Sequence, residues 1–273
     1  MQYKLVAIDI DGTLLNSNHE IPYENIETIK NLQDYGINFV IVTGRPDAMA
    51  KKYTKELQIP SVILGNNGAT IRNVDTNELY FQKVISREKV LELHKFFAKK
   101  DIYYRIYGLD SIYSFNDYEF DEAKNEFAVF SKRLADSMNF KIINKIEELD
   151  EDVIKFVCFT NDHDKLITTQ KELLSIDDLE IVRGSKNGVD INAKGISKGE
   201  TLLKYAETLG ISKEEIIAIG DSENDLSMLK VVGLPVTLEN GDQVLKDIAH
   251  IITESNDNAG VAKVLKQIFF YNK

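Results

Sequence analysis

The sequence predicts an α/β protein in which a parallel-sheet domain is interrupted by an α+β insert. At both ends of the chain, short apolar runs alternate with segments of helical spacing, a pattern typical of a parallel sheet with crossover helices. The middle of the chain has a different rhythm of helices and strand pairs. With 273 residues, the chain is long enough for about two domains.

The N-terminal part predicts alternating strands and helices. Its continuous apolar runs suit strands that are buried on both faces of a parallel sheet. Gly36 suits the end of the first helix, because glycine tolerates the left-handed conformation found there. The predicted elements are strand 5–10, helix 21–35, strand 37–42, helix 46–57 and strand 62–64.

The insert is predicted over residues 82–190, so residues 1–81 and 191–273 form one domain. Its predicted elements are helix 87–100, strands 102–107 and 112–115, helix 118–134, strand 153–159 and helix 165–174. The first rhythm then returns with helix 197–209, strand 216–219, strands 234–238 and 250–252, and helix 259–270.

Composition excludes several classes of partner and location. The net charge of −11 argues against binding to nucleic acid or to anionic membranes, since both need clustered Lys and Arg. No apolar stretch is long enough to span a membrane, and the N-terminus lacks a signal-peptide pattern. The only cysteine, Cys158, lies in an apolar run and is predicted to be buried. We expect a cytoplasmic protein that is a monomer or a weak homo-oligomer.

Polar residues follow the predicted ends of four buried strands. In open α/β sheets, ligands bind at this carboxyl edge, so these residues are candidates for one site. They are Asp9, Asp11, Thr43, Gly44, Asn66, Asn67, Gly68 and Asp221.

Asp9 and Asp11 are the most informative pair. Asp11-Gly12 between apolar runs could be only a hairpin turn, but that interpretation leaves Asp9 unexplained. Side chains two apart on a strand point the same way, so both carboxylates could face one pocket. Two such carboxylates repel each other unless a cation neutralises them, and Mg²⁺ prefers oxygen ligands.

Other residues could complete a site for a phosphate and a cation. Asp221 adds a third acid, with Asn224 and Asp225 on the turn after it. The Thr43 hydroxyl and the backbone N–H groups of Thr43 and the Asn67-Gly68 turn could bind an anion, and Lys198 could add a positive charge. Each has a simpler interpretation: Thr43-Gly44 and Asn67-Gly68 as plain turns, Lys198 as a solvated helix lysine, and Asp225 as a loop cap.

Four segments occur in order: Asp9-Ile10-Asp11-Gly12-Thr13, Thr43-Gly44-Arg45, Gly195-Ile196-Ser197-Lys198-Gly199 and Gly220-Asp221-Ser222-Glu223-Asn224-Asp225. With these motifs the chain resembles the haloacid dehalogenase superfamily, specifically its Cof-type phosphatases of subfamily IIB. The resemblance implies a Rossmann-like three-layer core with a parallel sheet, and a C2B-type cap domain formed by the insert.

The resemblance also implies roles for individual residues. Asp9 would be the nucleophile that forms an aspartyl-phosphate, and Asp11 the acid and base. The remaining roles fall to phosphate and metal binding. Thr43, Lys198 and Asn224 would contact the phosphoryl group, and Mg²⁺ would bind Asp9, the Asp11 main-chain carbonyl, Asp221 and, through water, Asp225.

The implied activity is Mg²⁺-dependent hydrolysis of small phosphorylated metabolites, with sugar phosphates as the expected substrates. The cap would close over the core and choose the substrate. A phosphotransferase or phosphomutase on the same scaffold and a non-enzymatic binder of phosphorylated ligands are the alternatives. The chain departs from the family at Thr237-Leu238-Glu239-Asn240-Gly241, where many relatives have Met-Gly-Asn-Ala, and Glu239 adds negative charge there.

Overall fold

The computed structural model describes residues 2–100, 102–115 and 138–271. The chain folds into two compact units, Met1–Phe81 with Ile196–Lys273, and Gln82–Gly195. The helix predicted over residues 118–134 lies outside the described residues.

The first unit is built on an eight-stranded sheet. Its strands are β1 (Leu5–Ile8), β2 (Asn38–Val42), β3 (Val62–Gly65), β4 (Thr70–Asn73), β5 (Leu79–Gln82), β12 (Ile216–Ile219), β13 (Leu234–Leu238) and β14 (Ile251–Thr253). The strand order is β14-β13-β12-β1-β2-β3-β4-β5, and the pairs from β14 to β3 are parallel.

Strand β1 lies in the middle of the parallel part. It pairs in parallel with β2 on one side and with β12 on the other. A hairpin would require an antiparallel neighbour, so the interpretation of Asp11-Gly12 as a hairpin turn is wrong. The polar residues at the ends of β1, β2, β3 and β12 therefore follow strands that run side by side.

Helices cover both faces of this sheet. They are α1 (Tyr23–Asp34), α2 (Asp47–Leu57), α5 (Lys198–Thr208), α6 (Leu226–Leu229), α7 (Gln243–Lys246) and α8 (Gly260–Lys266). Side chains of β1 alternate between two apolar clusters: Val6 and Ile8 pack with residues of α1, α2 and α8, whereas Leu5 and Ala7 pack with residues of α5 and α6. This alternation produces the predicted three layers. Among the described residues, no helix combines the length and apolar character needed to cross a membrane.

The second unit is α+β. Its sheet contains β6 (Tyr103–Tyr107), β7 (Ser111–Phe115), β8 (Asn139–Ile143), β9 (Lys155–Phe159), β10 (Leu179–Ser185) and β11 (Gly188–Ala193), in the order β10-β11-β9-β6-β7-β8. All pairs are antiparallel except β7 with β8. Helices α3 (Arg87–Ala98) and α4 (His163–Leu173) contribute to its apolar core, which also holds Cys158.

Candidate active site

The first acidic residue, Asp9, follows directly after β1. Its backbone N–H donates to Ile219 O at 3.0 Å and so continues the pairing with β12. Asp11 (φ −80°, ψ 122°) and Gly12 (φ 76°, ψ −4°) then form a turn with angles close to type II. A Cβ atom on Gly12 would overlap the Asp221 carboxylate. Glycine is therefore needed here both for the backbone conformation and for the close approach of Asp221.

Lys198 brings a buried positive charge to Asp9. It is the first residue of α5, and the Ser197 hydroxyl caps this helix by accepting from Glu200 N at 3.2 Å. The Lys198 Nζ atom lies 2.7 Å from Asp9 Oδ1 and 2.6 Å from Asp225 Oδ1, and its side chain is fully buried. Burial lowers the pKa of Lys198, but the two carboxylates outweigh this effect and raise the pKa above its usual value. The interpretation of Lys198 as a solvated lysine is therefore wrong.

The loop after β12 presents Asp221 and Asp225. Asp225 Oδ2 accepts from the backbone N–H groups of Asp221 and Ser222 at 3.0 and 3.1 Å. Asp225 is thus a loop cap as well as a partner of Lys198. Thr13 Oγ1 donates to Asp221 Oδ1 at 2.7 Å, which connects this loop to the turn after β1.

Asp11 pairs with a different cation. Arg45 donates to both of its carboxylate oxygens, with Nε–Oδ2 at 2.7 Å and Nη2–Oδ1 at 2.5 Å. Arg45 Nη1 also donates to Tyr53 OH at 3.2 Å. Burial lowers the pKa of Arg45, but its hydrogen bond and charge pairing with Asp11 raise the pKa above the usual value. Half of the Asp11 side chain remains exposed.

Thr43 contributes a hydroxyl to this edge, but not the N–H group that the sequence suggested. Its N–H donates to Leu64 O at 2.8 Å, because it belongs to the ladder between β2 and β3. The Asn67 N–H is likewise used, and donates to Thr43 O at 3.0 Å. These two hydrogen bonds contradict the expectation that the N–H groups of Thr43 and Asn67 bind an anion. The Thr43 Oγ1 atom accepts from Arg45 N at 3.1 Å, so its own O–H can donate elsewhere.

The turn after β3 packs against the loops from β2 and β12. Asn66, Asn67 and Gly68 all have positive φ, at 54°, 60° and 94°. Asn224 Nδ2 donates to Asn67 Oδ1 at 3.3 Å, and a Cβ on Gly44 would press against the same oxygen. The structure therefore brings Gly44, Asn67 and Asn224 together beside Thr43.

The acidic side chains form a group suited to a divalent cation. Carboxylate oxygens of Asp9, Asp221 and Asp225 lie within 4.8 Å of one another. Burial raises the pKa of Asp9 well above its usual value, despite Lys198. Burial, with the Asp225 charge, also raises the pKa of Asp221 to about 7. Together with Asp11, Lys198 and Arg45, these six side chains carry a formal excess of two negative charges, which Mg²⁺ would neutralise.

Some contributors to this geometry were not singled out from the sequence. Thr13 and Arg45 lie inside the quoted motifs, yet their partners Asp221 and Asp11 become apparent only when the strand ends are assembled. Tyr53, on α2, faces Arg45 because α2 begins directly after the loop that carries Arg45. The Asp11 carboxylate is outside the metal-binding group named above, and the expected role of its main-chain carbonyl stays a prediction.

Comparison with known families gives a match over residues 6–265 to haloacid dehalogenase-like hydrolases. The chain belongs to this family. The match spans both predicted domains, and it confirms the resemblance inferred from the four motifs.

Known members of the haloacid dehalogenase-like hydrolases include several named phosphatases that are similar to the chain along nearly its whole length. Phosphatase YwpJ of Bacillus subtilis is 31% identical and covers 97% of this chain and 99% of its own. The 5-amino-6-(5-phospho-D-ribitylamino)uracil phosphatase YwtE of the same organism is 33% identical, with 97% and 98% covered. The protein is accordingly a phosphatase of the Cof type.

Solved structures agree with this assignment. A haloacid dehalogenase-like hydrolase from Bacteroides thetaiotaomicron has a TM-score of 0.83 at 31% identity, with 98% of this chain and 100% of that chain covered. The subclass IIB sugar phosphatase BT4131 has a TM-score of 0.83 at 25% identity, with 97% and 98% covered. The predicted α/β fold with a parallel-sheet core is thereby confirmed.

Proposed function

We propose that this phosphatase hydrolyses small phosphate monoesters with Mg²⁺, through a phosphoryl intermediate on Asp9. The observation that carries the proposal is the arrangement around Asp9. Its carboxylate is buried at the end of a central strand, bonded to Lys198 and close to Asp221 and Asp225. A nucleophilic carboxylate must approach an anionic phosphate, and positive charge beside it lowers the repulsion between them.

The donor set suits Mg²⁺. Asp9, Asp221 and the main-chain carbonyl of Asp11 are the proposed ligands, and Asp225 would act through water because both of its oxygens already accept hydrogen bonds. When bound, the ion would neutralise charge on the phosphoryl oxygens and on the acidic group.

The chain's own residues supply the proposed chemistry. A carboxylate oxygen of Asp9 attacks phosphorus, and the bond from phosphorus to the ester oxygen breaks. For this step Asp11 must carry a proton and leave its ion pair with Arg45, and it donates that proton to the departing alkoxide. In the second half, Asp11 takes a proton from water as that water attacks phosphorus, the bond to Asp9 breaks, and inorganic phosphate is released.

Three side chains are proposed to hold the transferring group. Lys198 would pair with a phosphoryl oxygen while it stays bonded to Asp9 and Asp225. Thr43 would donate its O–H to another oxygen, since the hydroxyl already accepts from Arg45 N. Asn224, fixed against Asn67, would contact the phosphate or a water on the metal. Such charge neutralisation and positioning supply most of the catalysis in phosphoryl transfer.

Names of the relatives favour a phosphorylated polyhydroxy carbon chain as substrate. YwtE is named for a phosphoribityl compound, and BT4131 for sugar phosphates. A sugar alcohol phosphate and a sugar phosphate share a phosphate ester on a hydroxylated chain. We propose this class for the present protein, with residues 1–81 and 191–273 as the catalytic core and residues 82–190 as the cap that selects the substrate.

A phosphate-release assay tests the proposal. The substrates are sugar phosphates, sugar alcohol phosphates and an aryl phosphate, each with Mg²⁺ or with a chelator and without a sugar acceptor. Wild type is expected to release phosphate only with Mg²⁺, fastest from the polyhydroxy esters, and Asp9→Asn is expected to be inactive. Release that persists in chelator or in Asp9→Asn would contradict the mechanism. Turnover that appears only after a sugar acceptor is added would indicate a phosphotransferase.

A further inference from the structure

The loop that follows β13 contacts both acid-bearing loops of the site. Asn240 Nδ2 donates to Gly12 O at 2.8 Å, in the turn after β1. Two residues further, the Asp242 N–H donates to Asp221 O at 2.7 Å, in the loop after β12. One short segment, residues 239–242, therefore donates a hydrogen bond to a backbone carbonyl of each loop.

These contacts matter because the two loops meet with little space between them. Gly12 lies against the Asp221 carboxylate so closely that no Cβ fits, and Thr13 donates to the same carboxylate. The separation of Asp9 from Asp221 thus depends on where the Gly12 peptide lies. The Asp221 carboxylate packs against the Cα of Gly12, and Asn240 Nδ2 donates a hydrogen bond to the Gly12 carbonyl.

Asn240 is itself fixed from a second direction. Its Oδ1 atom accepts from Asn256 N at 3.0 Å, and Asn256 Nδ2 donates to Leu15 O at 2.8 Å. Asn240 is nevertheless an exposed residue. Asn240 buries little surface, so its main effect is to fix the positions of the two backbone groups that its side chain bonds.

We propose that Asn240 is a positioning residue for the phosphatase reaction, which sets the spacing between the Asp9–Gly12 turn and Asp221. This inference rests on the proposed function, since it concerns the same acidic residues. It assigns a role to a loop in which the sequence departs from the family pattern. Removal of the amide would let the Gly12 peptide move, so that Asp9 reaches the phosphate less often in the reactive geometry.

The test compares Asn240→Ala with Asn73→Ala. Asn73 accepts from the backbone N–H groups of Asp75 and Thr76 at 3.0 and 3.2 Å, so the control also loses two hydrogen bonds in a surface turn. We expect kcat of Asn240→Ala to fall about tenfold with little change in KM, since misplaced reacting groups slow chemistry more than binding. Asn73→Ala should keep the wild-type kcat. Equal kcat values for the two variants would overturn the proposal.

Asn240→Asp separates the two hydrogen bonds of Asn240. A carboxylate can still accept from Asn256 N but cannot donate to Gly12 O, so this variant should also lose kcat. Wild-type activity in Asn240→Asp would show that the contact with Gly12 is not needed.

Amide hydrogen exchange tests the inference without enzymatic activity. The peptide over residues 9–15 should exchange faster in Asn240→Ala than in wild type or Asn73→Ala, and unchanged exchange there would contradict the proposal. A wild-type protein that releases no phosphate would instead refute the proposed function, and the exchange experiment would still decide the role of Asn240.

Discussion

Gly12 is the residue at which backbone conformation and site geometry depend on each other most directly. Its φ of +76° lies in the region that favours glycine, and the space for a Cβ is taken by Asp221. Gly36 has a similar φ of +83°, but nothing lies within 4 Å of its Cβ position. A comparison of the two glycines therefore separates the effect of the left-handed backbone from the effect of a clash between a Cβ atom and Asp221.

We predict that Gly12→Ala and Gly36→Ala both lower stability, by about 1–2 kcal/mol for the left-handed backbone. Only Gly12→Ala must also displace Asp221, so its kcat should fall by roughly a hundredfold, as expected for a shift of about 1 Å in a catalytic group. Urea unfolding and phosphate release measure the two effects. A Gly12→Ala enzyme with the kcat of Gly36→Ala would disprove the dependence on Asp221.

At this scale the sequence predicted which residues gather, but not which of them pair. The sequence predicted that Lys198, at the start of a helix, lies beside a carboxylate of the shared strand edge, and the structure brings Lys198 within hydrogen-bond distance of Asp9 and Asp225. That Asp11 would pair with Arg45 could not be predicted, because it depends on the turn geometry at Gly12 and the direction of a long side chain. The N–H groups of Thr43 and Asn67 were misjudged because both are already used. The Thr43 N–H continues the ladder between β2 and β3, and the Asn67 N–H in the turn after β3 donates to Thr43 O.

Among the elements, helix α5 links an N-cap to the candidate site, because the residue that follows the cap is Lys198. Lys198 is its first residue, so the N-cap Ser197 holds the turn that carries the buried ammonium group. Ser86 caps α3 in the same way, by accepting from Lys89 N at 3.3 Å, but no candidate site residue lies in that turn. Ser86 therefore serves as a control for Ser197, since both are serine N-caps and only Ser197 is next to a candidate site residue.

We predict that Ser197→Ala and Ser86→Ala each cost about 1 kcal/mol, the usual value for a lost N-cap. Ser197→Ala should in addition lower kcat severalfold, because a frayed first turn releases Lys198 from Asp9. Ser86→Ala should keep wild-type kcat. Thermal unfolding and steady-state kinetics provide the readouts, and an equal loss of kcat in both variants would argue against a specific role for the cap of α5.

The elements predicted well were those with strong apolar patterns. Strands β1, β2, β3, β12 and β13 are buried on both faces and appear in the sequence as continuous apolar runs. Five strands were not predicted: β4, β5, β8, β10 and β11. In β4 (Thr70–Asn73) and β11 (Gly188–Ala193), polar residues interrupt the apolar pattern, although both strands are largely buried. Their burial comes from packing between distant parts of the chain, which a local pattern does not contain.

For the whole molecule, the proposed binding of Mg²⁺ to Asp9, Asp221 and Asp225 would contribute to stability. With Mg²⁺ at a hundredfold excess over its Kd, binding to the folded state should add about 2.7 kcal/mol. This corresponds to a rise of roughly 5–10 °C in Tm. The effect should vanish with chelator and in Asp221→Asn. Asp34→Asn, which removes an exposed carboxylate at the end of α1, should respond to Mg²⁺ like wild type. A Tm that does not change on addition of Mg²⁺ would contradict the proposed metal site.

We propose above all that Asp9 carries the phosphoryl group during turnover. The most direct measurement is acid quench of the Asp11→Asn variant during reaction with an aryl phosphate and Mg²⁺, followed by peptide mapping. An aryl leaving group departs without a proton, so the first half of the reaction does not need Asp11. The variant lacks the proposed base for the second half, so phosphate should accumulate on Asp9 and on no other residue. Phosphate on a different residue, or release of phosphate by wild type without any labelled Asp9, would contradict the account.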